Sequence, residues 1–284
     1  MSTDMQEIRL SLGHIELSAQ LSGPADGMPV IALHGWLDNA NSFARLAPRL
    51  SGLRILALDL AGHGHSDHRP AGAGYALWDY AHDVLRVAEH MGWERFALIG
   101  HSLGAIISVV LAGSLPERIT RLALIDGLIP PTSGPQDAAE RMGMALQAQL
   151  DLGKKRKAVH PSLEQAIKAR MRGVVAVSSD AAQLLAQRGL MAVPGGYSWR
   201  SDSRLTLPSP TRLSQAQALS FVQRIACPAK LVVAADGMLA RHDELLSQLP
   251  FSHEVLPGGH HLHVNDEAGA ALVADCFNHF FSTS

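Results

Sequence analysis

The stretch "RFALIGHSLGA", Arg95 to Ala105, decides the fold. Its first half is a continuous apolar run without polar alternation, the pattern of a strand buried on both faces. Its second half passes at once into a helical pattern over Leu103 to Leu115. Between them stands "GHSLG", Gly100 to Gly104, a G-x-S-x-G spacing. A sharp strand-to-helix turn needs small residues on both sides, and Gly100 and Gly104 supply them. Ser102 is then expected in a strained conformation, its hydroxyl projecting above the sheet. The Leu103 amide would share that space, at a helix N-terminus where negative charge is stabilised. The plainer alternative is a serine that caps its own helix.

Further out, the same buried-strand pattern recurs. It is seen in "PVIALHG" (Pro29 to Gly35), "RILALDL" (Arg54 to Leu60), "RLALID" (Arg121 to Asp126) and "AKLVVAAD" (Ala229 to Asp236). "IRLSLG" and "IELSAQLS" alternate apolar and polar residues and suit an opening pair of half-exposed strands. Helices are predicted over Asn41 to Leu50, Ala76 to Met91, Arg241 to Leu249 and Glu267 to Phe281. Strands alternating with helices give an α/β class, a mostly parallel doubly wound sheet with helices on both faces. From Pro130 to Pro210 the rhythm breaks. This interval is helical, basic and Met-rich, has no strand-like run, and is bounded by the Pro-rich "IPPTSGP" and "TLPSP". The expected organisation is a core of residues 1–129 and 211–284, with a helical cap of residues 130–210 inserted after the sixth strand.

Composition excludes several function classes. The 284 residues are 47% hydrophobic and 18% charged, which marks an ordered globular chain. A formal net charge of −2 argues against an obligatory nucleic-acid surface. The single basic run, "KKRK" at Lys154 to Lys157, reads as a solvated face. The opening "MSTDMQEIRLSLG" has neither a basic start nor an apolar core, so a secretory signal is not expected. No apolar run reaches membrane-spanning length, and stable membrane anchoring is not expected either. Cys227 and Cys276 are too few for a disulfide framework or a cysteine-based zinc site. These features together suggest a cytoplasmic location.

A nucleophilic serine needs a base, an acid and oxyanion donors. The loop "HGWLDN", His34 to Asn39, follows the third strand and offers the Trp36 amide as second donor, with Gly35 allowing close approach of the backbone. His34 and His101 are expected to frame the site and orient its loops rather than react. Near the end, "LPGGHHLHVNDE" carries His260, His261 and His263. His260, directly after Gly258 and Gly259, is the candidate base. Its two neighbours would orient or cover the loop. Two strand ends compete to supply the acid, Asp126 and Asp236. Met142, Met144, Met171 and Leu184 could line an apolar acyl pocket, or could simply pack cap helices together.

One stretch points elsewhere. "HGHSDH", His63 to His68, is similar to the metal-gripping H-x-H-x-D-H loop of the metallo-β-lactamase superfamily. A zinc site would need further ligands from distant loops, and His101 and His260 are already employed. Started four residues earlier, the same stretch reads "DLAGHGHSD", a strand end followed by the turn glycines Gly62 and Gly64. No metal is expected in the site.

Taken together, the motifs resemble the α/β-hydrolase superfamily over essentially the whole chain, and within it the serine hydrolase-like proteins. "LHGWLDNANSFARLAPRL", "LDLAGHGHSDH", "GHSLGA", "LIDGLIP", "QRG" and "PGGHHLH" carry the likeness. The resemblance implies Ser102 as nucleophile, His260 as base, Trp36 and Leu103 as oxyanion donors, and tips the acid toward Asp126. The implied activity is hydrolysis of carboxylic esters of small to medium acyl chains through an acyl-enzyme, with no cofactor. A C–C bond hydrolase or a thioesterase could use the same groups, and a non-catalytic binding protein on this fold is a remote alternative. The expected partner is a small-molecule ester, with a homodimer as a further option.

Overall fold

The structure, a computed structural model, describes residues 5–154 and 156–283. Lys155 of the basic run and the opening "MSTD" lie outside the described residues. The chain begins with strands β1 (Gln6–Ser11), β2 (Glu16–Ser22), β3 (Met28–Leu33) and β4 (Leu53–Leu58). Helix α1 (Leu77–His90), β5 (Phe96–His101), helix α2 (Leu103–Ser114) and β6 (Ile119–Ile125) follow. The excursion after β6 contains α3 (Ala138–Leu152), α4 (Leu163–Met171) and α5 (Ser179–Gly189), then strands β7 (Leu190–Val193) and β8 (Gly196–Trp199). Helix α6 (Gln215–Gln223) returns the chain to β9 (Ala229–Asp236). Helix α7 (Asp243–Leu246), β10 (Ser252–Gly259), α8 (Leu262–Asn265) and α9 (Glu267–Ser282) complete the fold.

Eight strands form one sheet in the order β1-β2-β4-β3-β5-β6-β9-β10. The β1–β2 and β2–β4 pairs are antiparallel, and the rest of the sheet is parallel. The reason for the continuous apolar runs is visible in the alternation. Ile31, Leu33, Leu56, Leu58, Leu98, Leu122, Leu124, Leu231 and Val233 face the layer of α1, α2 and α6. Val30, Ala32, Ile55, Ala57, Ala97, Ile99, Ala123, Ile125 and Val232 face Phe43, Val273, Phe277 and Phe281 on the other side. With both faces covered, neither strand parity can be polar. Each fully buried Leu, Ile, Val or Phe contributes about 1.5–3 kcal/mol. Among the described residues, no helix is long and apolar enough to cross a membrane.

Three expected elements differ. Asn41 to Leu50 forms no α-helix but two 3-10 turns, Ala40–Phe43 and Ala47–Arg49. Pro48 in the second turn removes a backbone donor that a longer helix would need. Arg241 to Leu249 shortens to the four residues of α7. The excursion also contains strands where none was expected. β7 and β8 pair as an antiparallel hairpin around Gly195 and Gly196, both at positive φ. Their short, partly exposed runs lack the apolar signature of the central strands.

The excursion is tied to the sheet by polar bonds that centre on the loop after β3. Trp36 Nε1 donates to the Leu205 carbonyl (2.9 Å), Asn39 Nδ2 to Leu185 (2.9 Å) and Asn41 Nδ2 to Leu184 (2.8 Å). Arg188 of α5 is buried and reaches Asp59 (2.7 Å) and Glu7 (2.7 Å). Because each bond crosses from the excursion to the core, cap and loop are held in one register.

Candidate active site

The turn between β5 and α2 places Ser102 at φ 51° and ψ −112°, a region that disfavours a side chain. Its hydroxyl makes no capping bond to α2, which removes the helix-cap alternative. The neighbouring glycines are required by packing. A Cβ on Gly104 would overlap the Leu33 carbonyl, and one on Gly100 would sit 2.5 Å from the Gly104 oxygen. Among the described residues, the non-glycine residues at positive φ are Leu37, Ser102 and Asp126. All three line one cavity of about 860 Å³, which His260 and His101 also line. Backbone strain of this kind persists only where the surrounding structure enforces it.

The strand ends settle which carboxylate meets His260. Asp126, buried at the end of β6, has Oδ2 2.6 Å from His260 Nδ1. It also accepts from the backbone amides of Ala234 (3.3 Å), Met238 (2.8 Å) and Leu239 (3.4 Å). Gly237 makes this approach possible, since a Cβ there would strike the same carboxylate. Asp236 is exposed at the end of β9. A carboxylate that accepts from His260 Nδ1 leaves the second ring nitrogen, Nε2, available to the cavity.

The two residues expected to supply amide donors, Trp36 and Leu103, both line the cavity. Leu103 is the first residue of α2, and a helix leaves its first amides without internal acceptors. Among the described residues, neither the Leu103 amide nor the Trp36 amide is taken up by a backbone carbonyl. His34, fully buried, shows how its loop is set. Its Nδ1 donates to the Gly35 carbonyl (2.7 Å), and its Nε2 accepts from the Leu60 amide (3.0 Å). The Gly35 carbonyl and the Trp36 N–H belong to one planar trans peptide and point in opposite directions. Holding the oxygen therefore directs the N–H. Burial pushes the His34 ring below its ordinary pKa, which keeps it neutral.

His101 is buried and lines the cavity, and its Nε2 donates to the His260 carbonyl (2.9 Å). Its surroundings leave no local mark in the sequence. Asp38, two residues beyond Trp36, is buried and bound by Arg170 of α4 (2.7 Å) and by His261 Nε2 (3.1 Å). Desolvation works against its charge, but His261 and Arg170 outweigh it and hold the carboxyl well below its ordinary range. Asp38 stands in the "HGWLDN" loop, just past the residues expected at the site, His34, Gly35 and Trp36. Arg170 lies in a stretch of the cap with no local signal. His263 donates or accepts at Ser42 Oγ (2.9 Å), and burial pushes its pKa down to about 3.

The "HGHSDH" histidines do not converge. His63 is buried against the His34 and Tyr80 rings, His65 is exposed, and His68 contacts the Arg200 carbonyl (2.8 Å). Asp59 of the same loop binds the Ala40 and His65 amides and Arg188. Ligand atoms of Asp38, His101 and His261 do gather within 4.8 Å of one another. There, however, Arg170 Nη2 faces both Asp38 and His261 Nε2 (3.5 Å), so a guanidinium already holds the place of a cation.

The cavity wall is apolar, with Ile106, Leu128, Ile129, Val174, Leu239 and Leu245 prominent. None of the four cap residues expected there lines it. Met171 and Leu184 pack inside the cap with Val177 and Ala181, while Met142 and Met144 are exposed. Residues 130–210 contribute Pro130 to Thr132, Arg170 of α4 and Gly173 to Val175 just beyond it instead.

A model of the alpha/beta hydrolase fold family matches residues 28–202. A serine hydrolase-like protein of Danio rerio is 32% identical, the alignment covering 95% of this chain and 87% of that one. The crystal structure of a hypothetical protein from Pseudomonas aeruginosa PAO1 is 65% identical, with a TM-score of 0.96 over 98% of this chain and 100% of that one. The thioesterase domain from the curacin biosynthetic pathway is 25% identical, with a TM-score of 0.82 over 96% and 99% of the two chains.

Proposed function

The chain belongs to the α/β-hydrolase superfamily and resembles its serine hydrolase-like members; on that basis we propose that it hydrolyses carboxylic esters through an acyl-enzyme on Ser102. The observation that carries the reading is the meeting, on one cavity, of a strained uncapped serine and a histidine already bound to a buried aspartate. In this mechanism His260 Nε2 takes the Ser102 proton as the hydroxyl attacks the ester carbonyl. Asp126 stabilises the imidazolium that results. The tetrahedral oxyanion forms between the Trp36 and Leu103 amides, each such donor being worth about 3–4 kcal/mol. His260 then protonates the leaving alkoxide, and water releases the acid by the reverse steps.

The cavity wall supports this substrate class. Aliphatic side chains favour an acyl chain of small to medium length, and residues 130–210 act as the cap that closes over it. A second reading, thioester hydrolysis, is supported by the likeness to the curacin thioesterase domain. A series of p-nitrophenyl esters of graded length, run beside acyl-thioesters of the same acids, separates the two. The expected result is ester turnover that peaks at small to medium chains and disappears in Ser102→Ala. Turnover confined to the thioesters would replace the first reading with the second.

A further inference from the structure

A second group of ligating side chains lies away from the cavity, where the β1–β2 turn meets α1. We propose that His14, His82 and Asp83 bind a divalent transition cation of the Zn2+ type. Their ligand atoms lie within 4.8 Å of one another, with both histidines exposed and Asp83 buried. His14 Nε2 is 2.9 Å from Asp83 Oδ1. In a tetrahedral site with bonds of about 2.0–2.1 Å, neighbouring ligand atoms sit about 3.3 Å apart, so this pair is close to one edge of such a site.

Two of the three ligands are already held from behind, as ligating groups usually are. His14 Nε2 now bonds Asp83 Oδ1 and would give up its proton to bind the ion, while Nδ1, 3.3 Å from the Leu12 carbonyl, has an acceptor for the remaining ring proton. Arg69 Nη2 binds Asp83 Oδ2 (2.5 Å), which fixes the carboxylate and leaves Oδ1 for the ion. The His82 ring lies 5.3 Å from the His14 ring, centroid to centroid. Two imidazoles and one carboxylate suit Zn2+ and its neighbours rather than Mg2+ or Ca2+. The remaining positions are open to water.

The site differs from the buried Asp38 group in one decisive respect. Arg170 contacts a ligand nitrogen there, whereas Arg69 contacts only the carboxylate oxygen that His14 leaves free. Solvent at the exposed histidines also screens the added charge. The ion would join residues 69 positions apart, fastening the outer antiparallel hairpin to α1. Because it binds the folded chain alone, it raises the unfolding temperature with concentration.

The test is titration of the metal-free full chain with Zn2+ and with Co2+, followed by calorimetry, by visible absorption of the cobalt form and by melting. The expected result is one ion per chain, a four-coordinate cobalt spectrum and a higher melting temperature. His14→Ala and His82→Ala should each weaken binding at least about tenfold, and His261→Ala should leave it unchanged. Melting of each variant without metal, matched to the parent, shows that it folds. Absence of saturable binding would overturn the proposal. So would equal affinity in the His14 and His82 variants, or loss of binding in His261→Ala, which would place the ion in the cavity.

Discussion

His260 and His261 follow one another at the end of β10, and each ring meets a buried carboxylate. Asp126 Oδ2 stands 2.6 Å from His260 Nδ1, and Asp38 Oδ2 stands 3.1 Å from His261 Nε2. The pairs differ in which nitrogen is used and in what else the carboxylate serves. Asp126 is otherwise bound by neutral backbone amides, so its charge is free to balance an imidazolium. Asp38 is already paired with Arg170. His261 thus shares its carboxylate with a guanidinium that also stands 3.5 Å from the same ring nitrogen. An Asp–His contact alone therefore does not make a base. In the proposed mechanism, His260 is suited to that role by a carboxylate without a competing cation and by the ring nitrogen left facing the cavity.

The comparison can be broken most directly by exchanging the two histidines' fates. His260→Ala should lower kcat by about 10⁴-fold or more, while His261→Ala, which only loosens the loop, should cost about tenfold. Similar losses in both would erase the distinction. Next in size, Asp126→Asn should reduce kcat by about 10³- to 10⁴-fold, because the wrong tautomer is then favoured. Asp236→Asn should stay within about twofold, because that carboxylate is exposed and the one bonded to His260 is Asp126.

The smallest effect concerns the histidines that stay neutral. Burial lowers the pKa of His34 and His101, and takes His63 and His263 down to about 3. Unfolded, such rings take protons near their ordinary pKa of about 6.5, so below that pH the unfolded chain binds more protons than the folded one. Stability is thus complete above about pH 6.5 and falls as the pH drops from there toward 3. Urea unfolding between pH 8 and pH 4 should show this decline, and His63→Asn should reduce its slope by about one proton. An unchanged slope in that variant would mean that His63 is protonated in the folded chain.

Much of this was legible in the sequence, for identifiable reasons. Buried parallel strands have no polar face, so the runs that end at Leu33, His101 and Ile125 announce themselves locally. The turn at Ser102 is fixed by two adjacent glycines, again a local signal. The partner of His260 is not local. Asp126 and Asp236 both end strands, and only the positions of the Met238 and Leu239 amides, with Gly237 between the strand and them, bring the first carboxylate to the ring. Arg170 illustrates the same limit. It lies 132 positions from Asp38, in a helix whose amphipathic pattern carries no mark of the contact. The cap's methionines misled for a related reason: residue type alone does not tell which face of a helix turns toward the cavity.

The central claim is that Ser102 is the activated nucleophile of this cavity. Treating the folded chain with a fluorophosphonate and locating the adduct by peptide mass spectrometry tests it without any assumption about substrate. One phosphonyl group per chain, on Ser102, slowed severely in His260→Ala and absent in Ser102→Ala, is the predicted result. A folded chain that takes up no probe, or takes it up on another residue, would contradict the account.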